Sequence, residues 1–502
     1  MHSPVNKIWT ALFCLLSFST LSCKKFLATY SQNNSFIESA EDLDELLVGE
    51  AYVDLISFSP PYMLYVMDDD VAAVIPKNPS NYFQKDIGFQ YWLPQPRIDS
   101  EGKLSSTDQF FNDMYSRIAR INSILYNIPL LREKGESPAM LNRISGEASF
   151  LRAYCYFLLV NIYGKPYDPA TAANDYGVPL KTDPAVNNQF TSRSTTKQVY
   201  DQIIADLLEA DKALAGANSS STIRVNQAAA RLLLSRVYLY MENYERADYF
   251  ASQVISSGNY KLTDLNTYVE GKDFLNRNSA EVIFTMGASR IAYFMGLNYD
   301  VQPAPAYKAS DNLILGYTPE DLRLKVFFHR NSIGEMRVAK KRTASNPGVD
   351  DVSELFLIRL AEAYLNKAEA LAALDRFEEA RSTLQEFRKT RFKPGELPPV
   401  NEEGATLVNI IRNERRLELC LETHRWFDLR RYAVNSKYPF SKSIQHRSVV
   451  FSGNKYIDNG YYELGPYEQD AAAYTVPIAN DEIEFNNGLL TNESRPERPL
   501  KQ

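Results

Sequence analysis

Two stretches of the sequence share one helical pattern, which restricts the folds open to the chain. The first is AAARLLLSRVYLYMENYERADYFASQVIS, residues 228–256, and the second is LAEAYLNKAEALAALDRFEEARSTLQEF, residues 360–387. Because small residues let two antiparallel helices approach and large ones fill the gap between them, the pattern predicts two helix pairs. In each stretch a small residue is followed three positions later by a large residue, six positions after that by an aromatic residue, and three positions after that by an alanine. These residues are Ser235, Tyr238, Tyr244 and Ala247 in the first stretch, and Ala368, Leu371, Phe377 and Ala380 in the second.

This spacing is typical of a tetratricopeptide repeat, although the two units lie too far apart in the sequence to form an uninterrupted array. Their helices are expected to be joined by short polar turns. Further helices are predicted from Phe110 to Ile128, from Ile144 to Tyr163 and from Lys197 to Ala215. The last of these follows Thr195, with Gln198 at the spacing of a capping box.

Three long stretches between the predicted helices, about 50–109, 262–350 and 433–500, are rich in Pro, Gly, Asn, Tyr and Phe. Their aromatic content argues against disorder, since disordered segments contain few aromatic residues. The sequence therefore predicts a mainly α fold with little β. Tetratricopeptide-like helix pairs would form a scaffold over about 110–260 and 353–432, and the three stretches would be ordered, irregular insertions.

The first 23 residues predict export and lipid attachment. Lys7 precedes an apolar run, Ile8 to Phe18, which is too short to span a bilayer comfortably and is typical of a secretory signal. The segment STLSC then places Cys23 as in a bacterial lipobox, although Thr20 stands where Leu is usual. We expect a signal peptide over 1–22, lipidation of Cys23 and one domain over 23–502. A plain secretory signal is the alternative.

The charge and the cysteines add two expectations. The net charge is −7 at pH 7 and no long Lys/Arg run occurs, which argues against a nucleic-acid binder. Cys14 lies in the predicted signal, so Cys155 and Cys420 remain, each in an apolar helical context. We expect two unpaired core cysteines, although an exported protein could join them in a disulfide.

Several segments, in order along nearly the whole chain, resemble the SusD/RagB family of outer-membrane lipoproteins of Bacteroidetes. They are CKKFL, FFNDMYSRIARINSIL, GEASFLRAYCYFLLVNIYGKPY, YGVPL with STTKQVYDQIIADLLEA, LFLIRLAEAYLNKAEALA, IRNERRLELCLETHRWFDLRRY and YTVPIANDEIEFNNGL. The resemblance implies a tetratricopeptide-like helical body with irregular insertions, held at the outer face of the outer membrane. It also implies a TonB-dependent transporter as partner and the capture of oligomeric nutrients, usually glycans and occasionally peptides, without catalysis.

The block IRNERRLELCLETHRWFDLRRY, residues 411–432, mixes both signs of charge with leucines on one helical face. One interpretation is a general acid/base cluster. The other is an ion-pair network between packed helices, which is favoured because buried charges must be paired. We expect that network to reach Arg359, Glu362 and Glu369 of the neighbouring repeat.

The acidic run Asp68-Asp69-Asp70 has several interpretations. A glycosidase acid pair is disfavoured, because adjacent carboxylates cannot easily straddle a glycosidic bond, and a Ca²⁺ site is a second alternative. A solvated or loop-capping role is commoner. Matching family members often keep an aspartate near their glycan-facing loops, so the resemblance makes Asp69 and Asp70 ligand-binding candidates.

Sequence motifs for catalysis or metal binding are absent. His2, His329, His424 and His446 show no metal-pair spacing, and no G-x-S-x-G, H-E-x-x-H or Walker-type motif occurs. We therefore expect a protein that is not an enzyme, with no catalytic residues, no cofactor and no metal.

Sugar binding needs flat aromatic faces to stack on C–H surfaces and planar polar groups to bind hydroxyls. The insertions offer both, although ordinary packing is the alternative for each aromatic. The candidates are Asn81, Tyr82, Phe83, Tyr91 and Trp92 in the first insertion, and Arg290, Tyr293, Tyr299, Tyr307 and Asn312 in the middle one. We predict a cell-surface lipoprotein that binds an oligosaccharide or polysaccharide and passes it to the transporter barrel. A peptide-binding family member, a protein–protein scaffold lipoprotein and a surface hydrolase are the alternatives.

Overall fold

The structure is a computed structural model that describes residues 37–53, 61–75, 86–98, 102–184, 190–217, 221–289, 291, 295, 306–332, 334–340 and 352–502. The signal peptide and the lipidation predicted at Cys23 lie outside the described residues. So do six of the ligand-binding candidates: Asn81, Tyr82, Phe83, Arg290, Tyr293 and Tyr299.

Helices dominate the described residues, as predicted. They are α1 (Ala40–Leu46), α2 (Met63–Val66), α3 (Ile87–Gln90), α4 (Gln109–Glu133), α5 (Pro138–Tyr163), α6 (Thr196–Ala213), α7 (Gln227–Tyr240), α8 (Tyr244–Ser256), α9 (Asp311–Ile314), α10 (Arg323–Phe327), α11 (Leu360–Ala373), α12 (Phe377–Arg388), α13 (Gly404–Leu419), α14 (His424–Ala433), α15 (Tyr467–Asp470) and α16 (Asn480–Phe485). One π-helix (Leu47–Ala51) and two 3-10 helices (Leu265–Thr267, Ala471–Tyr474) accompany them.

The long helices α4, α5, α6 and α7 pack one against the next in chain order. Helix α5 is buried nearly all round over its second half and ends at Tyr163, where Gly164 leaves helical geometry. Helix α6 begins with the predicted capping box: Thr195 Oγ1 accepts from Gln198 N at 3.2 Å, and Gln198 Oε1 accepts from Thr195 N at 2.9 Å. The box satisfies backbone groups that a helix start otherwise leaves unpaired.

The two predicted repeats are the helix pairs α7–α8 and α11–α12, and α8 packs directly on α11. The small residue Ser235 is fully buried between its helices and donates to the carbonyl O of Ala247 at 2.8 Å. Asn366 of the second repeat donates to Ser235 Oγ at 3.3 Å. Units distant in sequence are therefore neighbours in space.

The turns inside the two repeats have the same geometry. Glu242 and Asp375 both have φ of 60°, in the left-handed region. The next residues, Asn243 and Arg376, each donate their N–H to a carbonyl five residues earlier. A left-handed residue after a helix lets the chain reverse within a few residues, which sets two antiparallel helices side by side.

The strands form two-stranded antiparallel pairs among the described residues. They are β1 (Val71–Ala73) with β3 (Tyr307–Ala309), β2 (Val282–Thr285) with β6 (Leu357–Arg359), β4 (Phe328–Arg330) with β5 (Met336–Val338), and β7 (Ile444–Ser452) with β8 (Lys455–Leu464). The prediction of little β is confirmed. The hairpin of β7 and β8 nevertheless lies where an irregular insertion was expected.

The apolar core contains residues from Ala40 to Leu490, and a smaller second core lies around α11, α12 and α13. Cys155 and Cys420 are buried and free, so the prediction of two unpaired core cysteines is confirmed. Within the part of the chain that the structure describes, none of the helices has both the length and the apolar character needed to cross a bilayer.

Candidate functional site

Enclosed charges join the end of α13 to α10, to β6 and to residues that flank β2 and α12. Glu418 binds Arg323, Arg359 and Arg391 at N···O distances of 3.3, 2.6 and 2.8 Å, and Arg359 also binds Glu281 at 2.6 Å. We name these five residues the charged seam; none has a side chain more than 1% exposed. Burial opposes ionisation of Glu418, but Arg391 and Arg359 hold its pKa well below the usual range.

A second group of ion pairs ties α13 and α14 to α11. Arg431 binds Glu369 at 2.8 Å and Asp428 at 2.7 Å. Arg415 binds Asp428 at 2.9 Å and lies 3.8 Å from Glu362. Together with the charged seam, these contacts confirm the predicted ion-pair network and its reach into the neighbouring repeat.

The acidic run Asp68–Asp70 is enclosed, so of the expected solvated or loop-capping role the solvated part is wrong, while Asp68 Oδ1 accepts from Asp70 N at 2.9 Å as a loop cap does. Asp69 binds Arg425 at 2.7 Å and Arg416 at 3.0 Å, and it also pairs with Lys442. Asp70 binds Arg416 at 2.7 Å. These partners stand more than 340 residues later in the sequence, so local sequence gives no sign of them.

The same run has the spacing of a metal site, since one oxygen from each of the three carboxylates lies within 4.8 Å of the others. Arg416, Arg425 and Lys442 already neutralise Asp69 and Asp70 and would repel a divalent cation. Burial and the two neighbouring carboxylates raise the pKa of Asp68 well above its usual range, which favours its neutral form. The geometry thus fits ion pairing better than Ca²⁺ binding.

Parts of all three insertions meet at one place, the insertion junction, formed by the β1–β3 pair with Gln90, Trp92 and His446. The Trp92 indole N–H donates to Met67 O at 3.0 Å, and the Trp92 ring stacks on His446 at 4.3 Å. The two ring nitrogens of His446 lie 2.7 Å from Gln90 O and 2.8 Å from Asp68 O. Residues of β7 thereby fix the position of the first insertion.

The structure corrects the expectation that Trp92 and Tyr307 present a ring face to a ligand. They are 0% and 1% exposed, and the hydroxyl of Tyr307 donates to Gln90 Oε1 at 3.0 Å. Their rings fill the junction, which matches the packing alternative. Asn312 is exposed at the surface, and Asp69 and Asp70 stay predicted ligand contacts whose carboxylates are bound to arginines.

Sequence reasoning missed an accessible surface on the β7–β8 hairpin. We name it the hairpin rim; it consists of Arg447, Phe451, Tyr456, Asp458 and Tyr461. Phe451 is 57% exposed with its ring 5.1 Å from that of Tyr456, and Arg447 binds Asp458 at 2.6 Å. Tyr461 is half-exposed beside them in β8.

The hairpin rim adjoins the insertion junction. Tyr462, next to Tyr461 in β8, stacks on Tyr91 at 4.4 Å, and Tyr91 precedes Trp92. The hairpin rim therefore places aromatic rings and planar polar side chains at the edge of the insertion junction. The turn residues Ser-Gly-Asn at 452–454, between Val449-Val450-Phe451 and Tyr456-Ile457, were the available sequence signal for this hairpin.

Two family models match the sequence. One, a SusD-like model described as starch-binding and associating with the outer membrane, matches residues 27–239, and the SusD family model matches residues 303–494. SusD-like protein P38 of Formosa agariphila is 26% identical over 412 residues, which cover 69% of this chain and 76% of that protein. A SusD-like protein of Bacteroides ovatus is 22% identical over 76% of this chain and 77% of its own length.

Solved structures show the same fold. A SusD superfamily protein of Bacteroides thetaiotaomicron superposes with a TM-score of 0.68 at 22% identity, covering 91% of this chain and 100% of that chain. A SusD-like carbohydrate binding protein of Bacteroides vulgatus gives 0.68 at 18% identity, covering 90% of this chain and 97% of that chain. With family models matching both halves of the sequence and SusD-like relatives aligned over most of its length, the chain belongs to the SusD/RagB family.

Proposed function

We propose that this protein binds a glycan oligomer at the cell surface and delivers it to a TonB-dependent outer-membrane transporter, without cleaving it. The family description, which names starch binding and outer-membrane association, supports the ligand class and the location. Lipidation of Cys23 would hold the folded body at the membrane, with the body facing the cell exterior.

The observation that carries the proposal is the hairpin rim. Phe451 and Tyr456 offer aromatic rings beside the planar side chains of Arg447 and Asp458. Aromatic faces can stack on the C–H faces of pyranose rings. Guanidinium and carboxylate groups can each form hydrogen bonds with two sugar hydroxyls. The insertion junction below supplies a rigid base, so the rim loses little freedom when ligand binds.

Binding without catalysis is supported by the state of the acids. Glycoside hydrolysis needs two carboxyl groups flanking one bond, one of them able to donate a proton. Asp69 and Asp70 are instead enclosed and bound to Arg425 and Arg416, and Glu418 is bound to three arginines. Burial opposes ionisation, but the arginines hold the pKa of Asp69 and of Glu418 below the usual range, so neither of these two carboxyl groups retains a proton to donate.

Affinity gels containing different polysaccharides test the ligand class. We expect retardation of the purified protein by at least one glycan, and loss of that retardation in the double variant Phe451→Ala/Tyr456→Ala. Tyr126→Ala is the matched control, since Tyr126 is an exposed aromatic on α4 at 56%. Retardation by no glycan, or capture of peptides alone, would contradict the proposed ligand class.

Delivery to a transporter is tested by solubilising outer membranes and purifying the tagged lipoprotein. We expect a barrel protein to co-purify, and replacement of Cys23 by Ser to release the protein from the membrane fraction. Recovery of soluble protein assemblies without a barrel would favour the scaffold alternative. Release of shorter saccharides from the bound glycan would favour the hydrolase alternative.

A further inference from the structure

A groove of about 330 Å³ lies between α4, the segment that leads into α6, and the C-terminal helix α16. A single water occupies roughly 30 Å³ of liquid, so the groove has the volume of about ten waters and falls at the lower end of small-ligand pockets. Its lining residues include Asn112, Tyr115, Ser116, Lys181 and Glu482, and none of them belongs to the hairpin rim.

The walls of the groove are held together by hydrogen bonds. Tyr115 OH of α4 donates to Pro179 O at 2.8 Å, which joins the first wall to the second. Thr191 N donates to Asn486 Oδ1 at 3.0 Å, and Asn486 Nδ2 donates to Glu482 O at 3.0 Å, which joins the second wall to the third. The groove is therefore formed before any ligand arrives, and preorganised sites lose less free energy on binding.

The backbone of Lys181 is fixed as well. Its N–H donates to Tyr156 OH and its carbonyl accepts from the same hydroxyl, both at 2.7 Å. Its side chain extends over the ring of Tyr115, with Nζ 5.8 Å from the ring centre. An ammonium group and an aromatic ring thus line the same stretch of the groove.

In the described structure, several polar side chains that line the groove are free to form hydrogen bonds with a ligand. Considering only the described residues, Lys181 Nζ and the Glu482 carboxyl form no ion pair or hydrogen bond, and the side chains of Asn112 and Ser116 form no hydrogen bond. Burial, together with Asp481, raises the pKa of Glu482. One wall therefore donates hydrogen bonds from an ammonium group, and another presents a carboxyl group.

We propose that this groove is a second saccharide-binding site, separate from the hairpin rim. A neutral polyhydroxyl ligand satisfies both walls, because its hydroxyls accept from Lys181 and donate to Glu482, while Asn112 and Ser116 bind further hydroxyls. Tyr115 supplies the aromatic side of the groove. An anion or a cation alone would satisfy one wall and be repelled by the other. The inference rests on the proposed glycan-binding function.

The test compares variants of the full-length protein on an array of immobilised glucans, xylans, mannans, galactans and fructans. The groove variant is Lys181→Ala/Glu482→Ala, which removes two side chains without ion pairs in the described structure. Its matched control is Glu133→Ala/Lys134→Ala, an exposed pair at the end of α4. Circular dichroism and thermal melts establish that both variants fold as the parent does.

We expect at least one saccharide to bind the groove variant about tenfold or more weakly than the parent, since hydrogen bonds to charged groups are lost. The control and the Phe451→Ala/Tyr456→Ala variant should keep that signal. If saccharides bind but the groove variant matches the parent across the array, the groove inference is overturned and glycan capture stands. If the parent binds no saccharide, both the groove inference and the proposed function fall.

Discussion

Arg359 and Glu418 lie 2.6 Å apart with both side chains enclosed, although 59 residues separate them in the sequence. A buried ion pair adds little net stability over apolar residues of equal volume, because each ion loses its hydration. Loss of one member is costly, since the remaining charge stays buried without compensation. The charged seam therefore makes the packing of α13 on α10, β6 and the residues after α12 sensitive to single charge removals.

Glu418→Ala is expected to lower the free energy of unfolding by about 3–5 kcal/mol, because Arg323, Arg359 and Arg391 lose their shared partner. Urea unfolding measures this change. Glu386→Ala is the control, since its exposed pair with Lys389 contributes less than about 1 kcal/mol. A variant that kept its stability but lost glycan affinity would show that the charged seam binds ligand.

Stability is expected to fall in acid because of Glu369. Burial opposes its ionisation, but Arg431 and Arg412 hold its pKa at about 2 in the folded protein, against 4.5 for a free glutamate. The unfolded chain therefore binds a proton first, and the stabilisation present above pH 4.5 is lost as pH falls towards 2. That shift corresponds to about 3 kcal/mol.

Urea unfolding of the parent and of Glu369→Gln, measured from pH 7 to pH 3, checks this contribution. The parent should lose more stability over this range than Glu369→Gln, whose side chain does not titrate. Equal slopes for the two proteins would mean that Glu369 does not contribute to the acid sensitivity.

Gly460→Ala is expected to displace the C-terminal tail from the hairpin. Gly460 has φ of 100°, and a Cβ there would overlap the carbonyl O of Lys501, which pairs with Tyr461. Gly453→Ala is the control, because Gly453 also has positive φ but has open space around it. We expect Gly460→Ala to unfold with about 1–3 kcal/mol less free energy than the control. Carboxypeptidase trimming of the tail should also be faster, and unchanged trimming would contradict the clash.

The two core thiols should be inert in the folded protein. Burial raises the pKa of Cys155 to about 12 and also raises that of Cys420. Thiols react as thiolates, so a chain that starts at Lys24 should release almost no thionitrobenzoate from Ellman's reagent at pH 8. In guanidinium chloride it should release two equivalents, one per thiol. Rapid labelling without denaturant would show that one thiol is accessible.

Local periodicity in the sequence predicted the helical frame and its ion pairs. Ser235 and Ala368 mark the close approach of helices, and the mixed charges of residues 411–432 could be buried only as pairs. The predicted partners Glu362 and Glu369 were found because they lie on a helix that the same periodicity identifies, and Arg359 directly precedes that helix.

The candidate site was harder to predict because it depends on contacts distant in sequence. Trp92 is enclosed by His446, and Asp69 by Arg425, each more than 350 residues away. No local pattern shows whether an aromatic residue in an insertion faces solvent or a distant strand. The groove likewise joins α4 to α16, whose side chains are adjacent only after the chain has folded.

The pairing of Asp69 with Arg425 also has a consequence for biogenesis. In the export that the sequence predicts, the chain emerges from its N-terminus, so Asp69 waits for 347 further residues before Arg416 is available and for 356 before Arg425 is. Until then the first insertion contains carboxylates that no guanidinium neutralises, and burying them is unfavourable. A nascent or truncated polypeptide lacking α13 and α14 should consequently leave this insertion open to proteases and chaperones, so the first insertion should finish folding only after residues 411–432 have emerged.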